Sequence, residues 1–213
     1  MTRYSICFID EDEGQNSIFY NAFKDTFEVF TITPTPWVDS LAIIEEVISM
    51  GVDLLVVDFN MVDVISYNWT EIISDIRKRN KLFPVLIATS NVNDALDYVD
   101  DPNITCSKDI WWGNWRPEEL EDFKKRLLKL IWIYNDVKLS ITTELPLLQN
   151  KINENITLTA TEEDRYVELN WIAEEISWSP EHTAKQFYSV ETNKHFVDLI
   201  DKTDILIAKI NLQ

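Results

Sequence analysis

Short runs of apolar residues recur along the first part of the chain, and each run ends in an acidic, hydroxyl-bearing or cationic residue. Four such segments lie at 6–12, 54–61, 85–90 and 104–108. Uninterrupted apolar runs of this length are typical of strands covered on both faces, as in a parallel sheet. The closing residues are Asp10, Asp58, Thr89 and Lys108. Because ligands of open α/β sheets bind beyond the carboxyl ends of the strands, we expect these side chains to line one crevice.

The stretches between these runs have helical periodicity, so that strands and helices alternate. The predicted strands are 4–9, 27–32, 53–57, 82–88 and 103–107, and the predicted helices are 15–25, 38–50, 69–80, 93–99 and 117–136. Parallel crossovers of this length are right-handed. The pattern therefore predicts an α/β fold, a doubly wound five-stranded parallel sheet.

Residues 139–213 have a different pattern, in which helical periodicity dominates. Helices are predicted at 162–176, 180–190 and 193–201, with Thr161, Ser179 and Thr192 as their N-caps. The segment 204–212 fits a strand or a helix equally well. The chain is thus predicted to contain a first domain over 1–138 and a smaller, mostly α-helical domain over 139–213.

Composition narrows the classes of function. The 213 residues are 46% hydrophobic, enough for a real core, and 37 acidic against 19 basic residues give a net charge of −18. Such a charge repels nucleic acid and anionic membranes and favours metal cations or basic protein surfaces. Only three glycines are present, which excludes the glycine-rich phosphate loops of nucleotide-binding proteins. Neither a membrane-spanning stretch nor a signal peptide is found, so a cytoplasmic protein is expected.

The order of the closing residues resembles the receiver domain of two-component response regulators over residues 1–138. That family ends its first strand with an acidic pair, its third with the phospho-accepting aspartate, its fourth with Ser or Thr and its fifth with Lys. Asp10-Glu11, Asp58, Thr89 and Lys108 occupy these places in order. The resemblance implies the flavodoxin-like strand order 2-1-3-4-5.

The resemblance also implies a function for each of these residues. Asp58 would accept a phosphoryl group, Thr89 would hydrogen-bond it, and Lys108 would pair with it. Mg²⁺ would be held by Asp10, Glu11, Asp58 and the backbone carbonyl of Asn60, oxygen ligands of the kind this ion prefers. The protein would be regulatory rather than an enzyme beyond self-phosphotransfer and autodephosphorylation. Its partners would be a sensor histidine kinase or another phosphodonor protein and an unidentified effector protein, and a homodimer is left open.

Three differences from the family pattern leave a second interpretation open. Val62 stands where the family has a proline after the acceptor, and Asp109 replaces the proline that follows the lysine. Thr105 replaces the aromatic residue that reports phosphorylation. The alternative is a pseudo-receiver that works as an adaptor without phosphate. Acidic residues at strand ends are also ordinary helix N-caps, which is the purely structural alternative for Asp10 and Asp58.

Two further features have competing interpretations. Trp111, Trp112 and Trp115 either pack inside the protein or form a partner-binding surface, since tryptophan is enriched at interface anchors. The helices after residue 139 faintly resemble helix-turn-helix output domains, which gives DNA binding as a third hypothesis. Charge opposes it, because this segment holds thirteen acidic residues against one arginine and five lysines.

Overall fold

The computed structural model describes residues 3–35, 38–60, 69–92, 95, 101–112 and 117–178. The chain divides into two compact units, Met1–Asn135 and Asp136–Gln213. Each unit is described by itself below. The described residues include no helix that is both long and apolar enough to cross a membrane.

The first unit is built on a five-stranded parallel sheet. Its strands are β1 (Ser5–Ile9), β2 (Glu28–Ile32), β3 (Leu54–Asp58), β4 (Val85–Thr89) and β5 (Thr105–Ser107). Their order across the sheet is β2-β1-β3-β4-β5, and every neighbouring pair is parallel. This order is that of the doubly wound, flavodoxin-like fold, which confirms the predicted fold class.

The apolar runs are uninterrupted because the central strands are covered on both faces. Every residue of β1, β3 and β4 is buried. The strand order reverses direction between β1 and β3, and this is where ligands of such sheets bind. The register pairs Ile9 with Val57 and Asp58 with Ala88, so the carboxyl ends of β1, β3 and β4 lie at one rim.

Helices lie between and after these strands. They are α1 (Glu13–Phe23), α2 (Ser40–Met50), α3 (Trp69–Arg79), α4 (Pro117–Asn153) and α5 (Ala160–Glu175), with short 3₁₀ turns at Pro102–Ile104 and Lys108–Ile110. Gly51 ends α2 in the left-handed conformation at φ 64°, the stop that its glycine predicted. The predicted helices 93–99, 180–190 and 193–201, and the segment 204–212, lie outside the described residues, apart from Ala95.

Several boundaries differ from the predicted ones. Helix α1 begins at Glu13 rather than 15, because the Asp12 side chain accepts a hydrogen bond from the backbone N–H of Gly14 and caps it. Strand β3 extends to Asp58, since the backbone N–H of Phe59 still bonds Ala88 across the sheet at 2.8 Å. Strand β5 begins at 105 rather than 103, because the preceding residues form a 3₁₀ turn capped by Asp101.

The largest correction concerns α4, which ends at Asn153 and not near residue 136. Apolar residues continue at helical spacing beyond that point, and Leu145 and Leu148 are buried. Pro146 lies within the helix without ending it. The helix therefore runs past the predicted boundary between 138 and 139.

The core of the first unit is rich in aromatic side chains. Trp111 packs edge-on against Phe8, Phe19 and Phe23, with ring centroids 6.0, 5.3 and 5.9 Å away. Phe123 of α4 lies 5.7 Å from the same indole. Helices α1 and α4 thus share one apolar cluster with one face of the sheet.

The second unit contains a helical hairpin made from the end of α4 and from α5. Its small core consists of Leu145, Leu148 and Leu169. Thr159 caps α5 through a reciprocal capping box with Glu162, two residues before the predicted cap at Thr161. Arg165 holds both oxygens of Glu144 at 2.9 Å.

Candidate functional site

The candidate site starts from Asp10, the first residue after β1. Its side chain is only 1% exposed. One oxygen, Oδ1, accepts a hydrogen bond from the backbone N–H of Asp12 at 2.9 Å. The backbone carbonyl of Asp10 accepts a hydrogen bond from Asn16 Nδ2 at 2.9 Å. The end of β1 and the first turn of α1 therefore hold this carboxylate in one orientation.

Lys108 joins Asp10 to Asp58 at the centre of the rim. The Lys108 Nζ atom lies 2.7 Å from Asp10 Oδ2 and 2.7 Å from Asp58 Oδ1. All three side chains are at most 8% exposed. Residues that are far apart in the sequence thus form one buried ion cluster, as the strand-end pattern predicted.

The backbone around Lys108 explains how its ammonium reaches both carboxylates. The Ser107 hydroxyl accepts a hydrogen bond from the Asp109 N–H at 3.2 Å and caps the turn Lys108–Ile110. The N–H groups of Trp111 and Trp112 donate to the Lys108 carbonyl at 3.2 and 3.1 Å. The described peptide bonds are all trans, which includes the bond from Lys108 to Asp109. The replacement of proline by Asp109 therefore does not keep the lysine from the two carboxylates.

Burial and mutual charge shift the acid–base properties of the cluster. Desolvation raises the pKa of Asp10, although hydrogen bonds from Lys108 and from the Asp12 N–H oppose that rise. Burial likewise raises the pKa of Glu11, and the charges of Asp58 and Asp10 add to it. For Lys108 burial acts to lower the pKa, but the Asp58 charge and hydrogen bonds to both aspartates outweigh it and the pKa rises. The ammonium therefore stays charged at neutral pH.

The acidic side chains of this rim fit a divalent cation. Carboxylate oxygens of Asp10, Glu11 and Asp58 lie within 4.8 Å of one another. Glu11 Oε2 is buried and has no hydrogen-bond partner within the described structure. Three converging carboxylates, one of which has an oxygen without a hydrogen-bond partner, form the hard oxygen donor set that Mg²⁺ prefers. Asn60, whose backbone carbonyl was predicted as a further ligand, follows two residues after Asp58 and is exposed.

Thr89 is the last residue of β4 and lies on the same rim. It is 3% exposed. Its hydroxyl accepts a hydrogen bond from the Asn91 N–H at 3.1 Å and donates to the Asn91 carbonyl at 3.2 Å. The threonine is thus in place at the strand end, and its hydroxyl bonds the next loop. Thr105, at the position of the family's aromatic residue, is buried with its Oγ1 unpartnered in the described structure.

Of the tryptophans that follow β5, one is packed inside the protein and one is exposed, as a partner-binding surface would require. Trp111 lies in the aromatic core at 3% exposure, so it cannot belong to an exposed partner surface in this structure. Trp112, the next residue, is 48% exposed. Trp115 and Val62 lie outside the described residues.

Asn16 is a supporting residue that the strand-end pattern did not reveal. Its amide Nδ2 donates to the Asp10 carbonyl and to Thr33 Oγ1, both at 2.9 Å. It therefore ties α1 to the ends of β1 and β2. The sequence signal was a polar residue on the inward face of a helix, where an apolar residue is the rule.

No protein-family model matches the chain, and no curated protein is significantly similar to it. Solved structures of low sequence identity do match. The signal receiver domain of an HD domain-containing protein from Pseudomonas fluorescens Pf-5 is 11% identical, with 64% of this chain and 92% of that one covered and a TM-score of 0.47. The response regulator protein TrrA from Thermotoga maritima, in complex with Mg²⁺-BeF, is 16% identical over 58% of this chain and 98% of that one, with a TM-score of 0.44.

A third match is the RcsB response regulator of Salmonella typhimurium, described for its DNA interaction. It is 16% identical, with 82% of this chain and 71% of that one covered and a TM-score of 0.41. Similarities at this level concern the fold alone. The strand order and the register carry the assignment, and by them the first unit has the flavodoxin-like fold.

Proposed function

We propose that this protein is a response-regulator-like signalling protein in which Asp58 accepts a phosphoryl group in the presence of Mg²⁺. One observation carries the proposal. The Lys108 ammonium lies 2.7 Å from both Asp10 and Asp58. These groups come from three strand ends, and Glu11 completes the acidic set. Burying this many charges costs free energy, so a purely structural role would not favour the arrangement.

The residues of the site divide the work of phosphoryl transfer. The Asp58 carboxylate is the nucleophile: one of its oxygens forms a bond to phosphorus while the bond from phosphorus to the donor breaks. Lys108 stays protonated and balances the negative charge that arrives. Thr89 exchanges its hydrogen bond with Asn91 for one to a phosphoryl oxygen. When bound by Asp10, Glu11, Asp58 and the Asn60 carbonyl, Mg²⁺ would offset the repulsion between the carboxylates and the phosphoryl oxygens.

The proposal extends to the organisation of the chain. Residues 1–138 act as the receiver domain, and residues 139–213 act as the output through protein contacts. A sensor histidine kinase or another phosphodonor protein supplies the phosphoryl group, and an effector protein reads the result. The acidic composition of the second segment supports protein contacts over DNA contacts. The role is regulatory, since the chemistry ends on the protein's own aspartate.

The test is phosphorylation by a small donor. The full chain is incubated with acetyl phosphate and Mg²⁺ and weighed intact by mass spectrometry. We expect a mass gain of one phosphoryl group that hydroxylamine removes, as it does from an acyl phosphate. Asp58→Asn should abolish the gain. Asp25→Asn is the matched control, because Asp25 is exposed just before the amino end of β2, not at the carboxyl ends of the strands, and should be labelled like the wild type.

The same experiment decides between this function and the adaptor alternative. Two observations favour the adaptor: the Thr89 hydroxyl already bonds Asn91, and Thr105 replaces the family's aromatic residue. A folded wild-type chain that gains no mass, or an Asp58→Asn variant that gains as much as the wild type, would reject phosphorylation at Asp58. The adaptor would then be the better account.

A further inference from the structure

The strand β2 forms one edge of the sheet, and a groove runs beside it. The groove has a volume of about 440 Å³ and lies between α1 and the edge strand. Its lining consists almost entirely of polar side chains, namely Glu13, Asn16, Ser17, Tyr20, Asn21, Thr31 and Thr33. An open edge beside a helix is the setting in which extended peptides add a strand to a sheet.

Among the described residues, no other strand uses the backbone hydrogen-bonding groups on the outer side of β2. The N–H of Glu28 donates to Tyr4 at 2.9 Å, and the carbonyl of Ile32 accepts from Asp10 at 3.2 Å. Because alternate residues of a parallel strand face the same neighbour, Val29 and Thr31 direct their N–H and C=O groups away from β1. In the described part of the chain, no strand pairs with that outer edge.

Helix α1 holds the other wall of the groove at a fixed distance. Asn16 donates to Thr33 Oγ1 and to the Asp10 carbonyl, both at 2.9 Å. The side chains of Thr31 and Thr33 line the groove together with those of α1. A strand added to β2 would therefore place every second side chain in this preformed groove.

The lining selects the chemistry of those side chains. Glu13 is the one charged residue among the seven, and the other six carry hydroxyl or amide groups. The Lys24 ammonium donates to Asn21 Oδ1 about two helical turns further along α1, so the acidic end of the groove is the end at Glu13. A net charge of −18 adds a long-range attraction for cations. We propose that the β2 edge binds an extended, lysine-bearing segment of a partner protein. That segment adds to the sheet as a sixth strand and directs a lysine toward Glu13.

The experiment uses the full chain and a fluorescein-labelled peptide, Thr-Lys-Thr-Lys-Thr, in a fluorescence anisotropy titration. Alternation of the residues places both lysines on one face of the added strand, so the register that brings one lysine to the groove brings both. A peptide with glutamate in place of lysine tests the charge. A third peptide has the same side chains but carries N-methyl groups on the amides that would face β2, so it keeps the charge and loses the strand pairing. We expect saturable binding of the first peptide alone.

Two variants locate the site. Thr31→Pro removes an outward N–H and puts a proline ring on the outer edge, where a proline leaves the pairing with β1 intact. We expect at least about tenfold weaker binding, because lost backbone hydrogen bonds and a blocked edge act together. Glu13→Gln should weaken binding about fivefold, the effect of one exposed ion pair. Glu45→Gln makes the same charge change on an exposed position of α2 and should bind like the wild type.

Circular dichroism of Thr31→Pro checks that the sheet is still folded. The proposal fails if the N-methylated peptide binds the wild-type chain as tightly as the unmodified peptide does. It fails likewise if the folded Thr31→Pro variant binds the unmodified peptide as tightly as the wild type does, because non-specific charge attraction alone would then explain the binding. It also fails if the glutamate peptide binds equally, or if no peptide binds. These outcomes are independent of phosphorylation at Asp58.

Discussion

The two units of this protein pair their charges in different ways. In the first unit Lys108, Asp10 and Asp58 form a cluster that water hardly reaches. In the second unit Arg165 grips Glu144 with two hydrogen bonds, yet the arginine side chain is 36% exposed. Burying a charged cluster costs solvation free energy that the attraction between its charges need not offset. An exposed ion pair costs little solvation free energy and contributes little stability. The buried cluster is therefore the one that indicates a function.

The cores of the two units differ in the size of the side chains that they bury. The first unit packs aromatic rings around Trp111, and the second packs three leucines with a few partly buried neighbours. Large rings bury more apolar surface per residue. We therefore expect the first unit to be the more sensitive to truncation of a core side chain.

The largest expected effect follows removal of the central ring. Trp111→Ala should lower the free energy of unfolding of the first unit by about 4 kcal/mol, the range of large-to-small changes in a packed core. Urea unfolding followed by circular dichroism measures it. Trp112→Ala is the control, because Trp112 is 48% exposed. Equal losses for the two variants would show that Trp111 is not the centre of the core.

Removal of the buried cation comes next. Lys108→Met leaves Asp10 and Asp58 facing each other without a counter-charge, and we expect a loss of about 3 kcal/mol. The same urea experiment measures it, with Lys125→Met as a control because the Lys125 side chain is 74% exposed. A Lys108 variant as stable as that control would mean that the ion cluster is open to water in solution.

The surface pair of the second unit should matter much less. Arg165→Met should cost less than about 1 kcal/mol, as expected for an exposed pair. Hydrogen exchange of the amides of α5, read by mass spectrometry, reports the change locally. If Arg165→Met strongly reduced the hydrogen-exchange protection of α5, the exposed pair would matter as much as the buried cluster, contrary to the expected difference between the units.

The smallest expected effect is on the acid-induced loss of helix, through Glu162 at the start of α5. Lys151 and the N-cap Thr159 hold the pKa of Glu162 down to about 2 from an ordinary 4.5. A lowered pKa in the folded state means that this stabilising contribution is complete above pH 4.5 and is lost as the pH falls toward 2. Far-UV circular dichroism should therefore show a larger acid-induced loss of helix in the wild type than in Glu162→Gln. Superimposable titrations would contradict the capping box.

The sequence predicted the sheet and the charged centre because parallel topology gathers the carboxyl ends of strands at one rim. Asp10, Asp58 and Lys108 needed only their strands to be recognised for their convergence to follow. Boundaries were less predictable because neighbouring residues offered equivalent signals. Thr159 and Thr161 both precede acidic residues at capping distance. What distinguishes Thr159 is that its partner Glu162 is also bonded by Lys151 from α4.

Other features depend on contacts that no local pattern encodes. The length of α4 is set by the apolar partners that Leu145 and Leu148 find on α5. Asn16 joins two strand ends through its amide; its polar character on the inward face of α1 marks it as unusual, but the sequence does not show which groups it bonds. Long-range packing decides such cases, which is why they had to be read from the structure.

The turn after β5 gives the protein an optical reporter of its own. Trp111 donates its backbone N–H to the carbonyl of Lys108, and its indole touches several rings at edge-on angles. Closely spaced aromatic rings held at fixed angles produce intense near-ultraviolet dichroism, so a displacement of the lysine would change the spectrum without any dye. Binding of a ligand at the carboxyl ends of the strands would then be detectable as a change in the near-ultraviolet circular dichroism of the aromatic core.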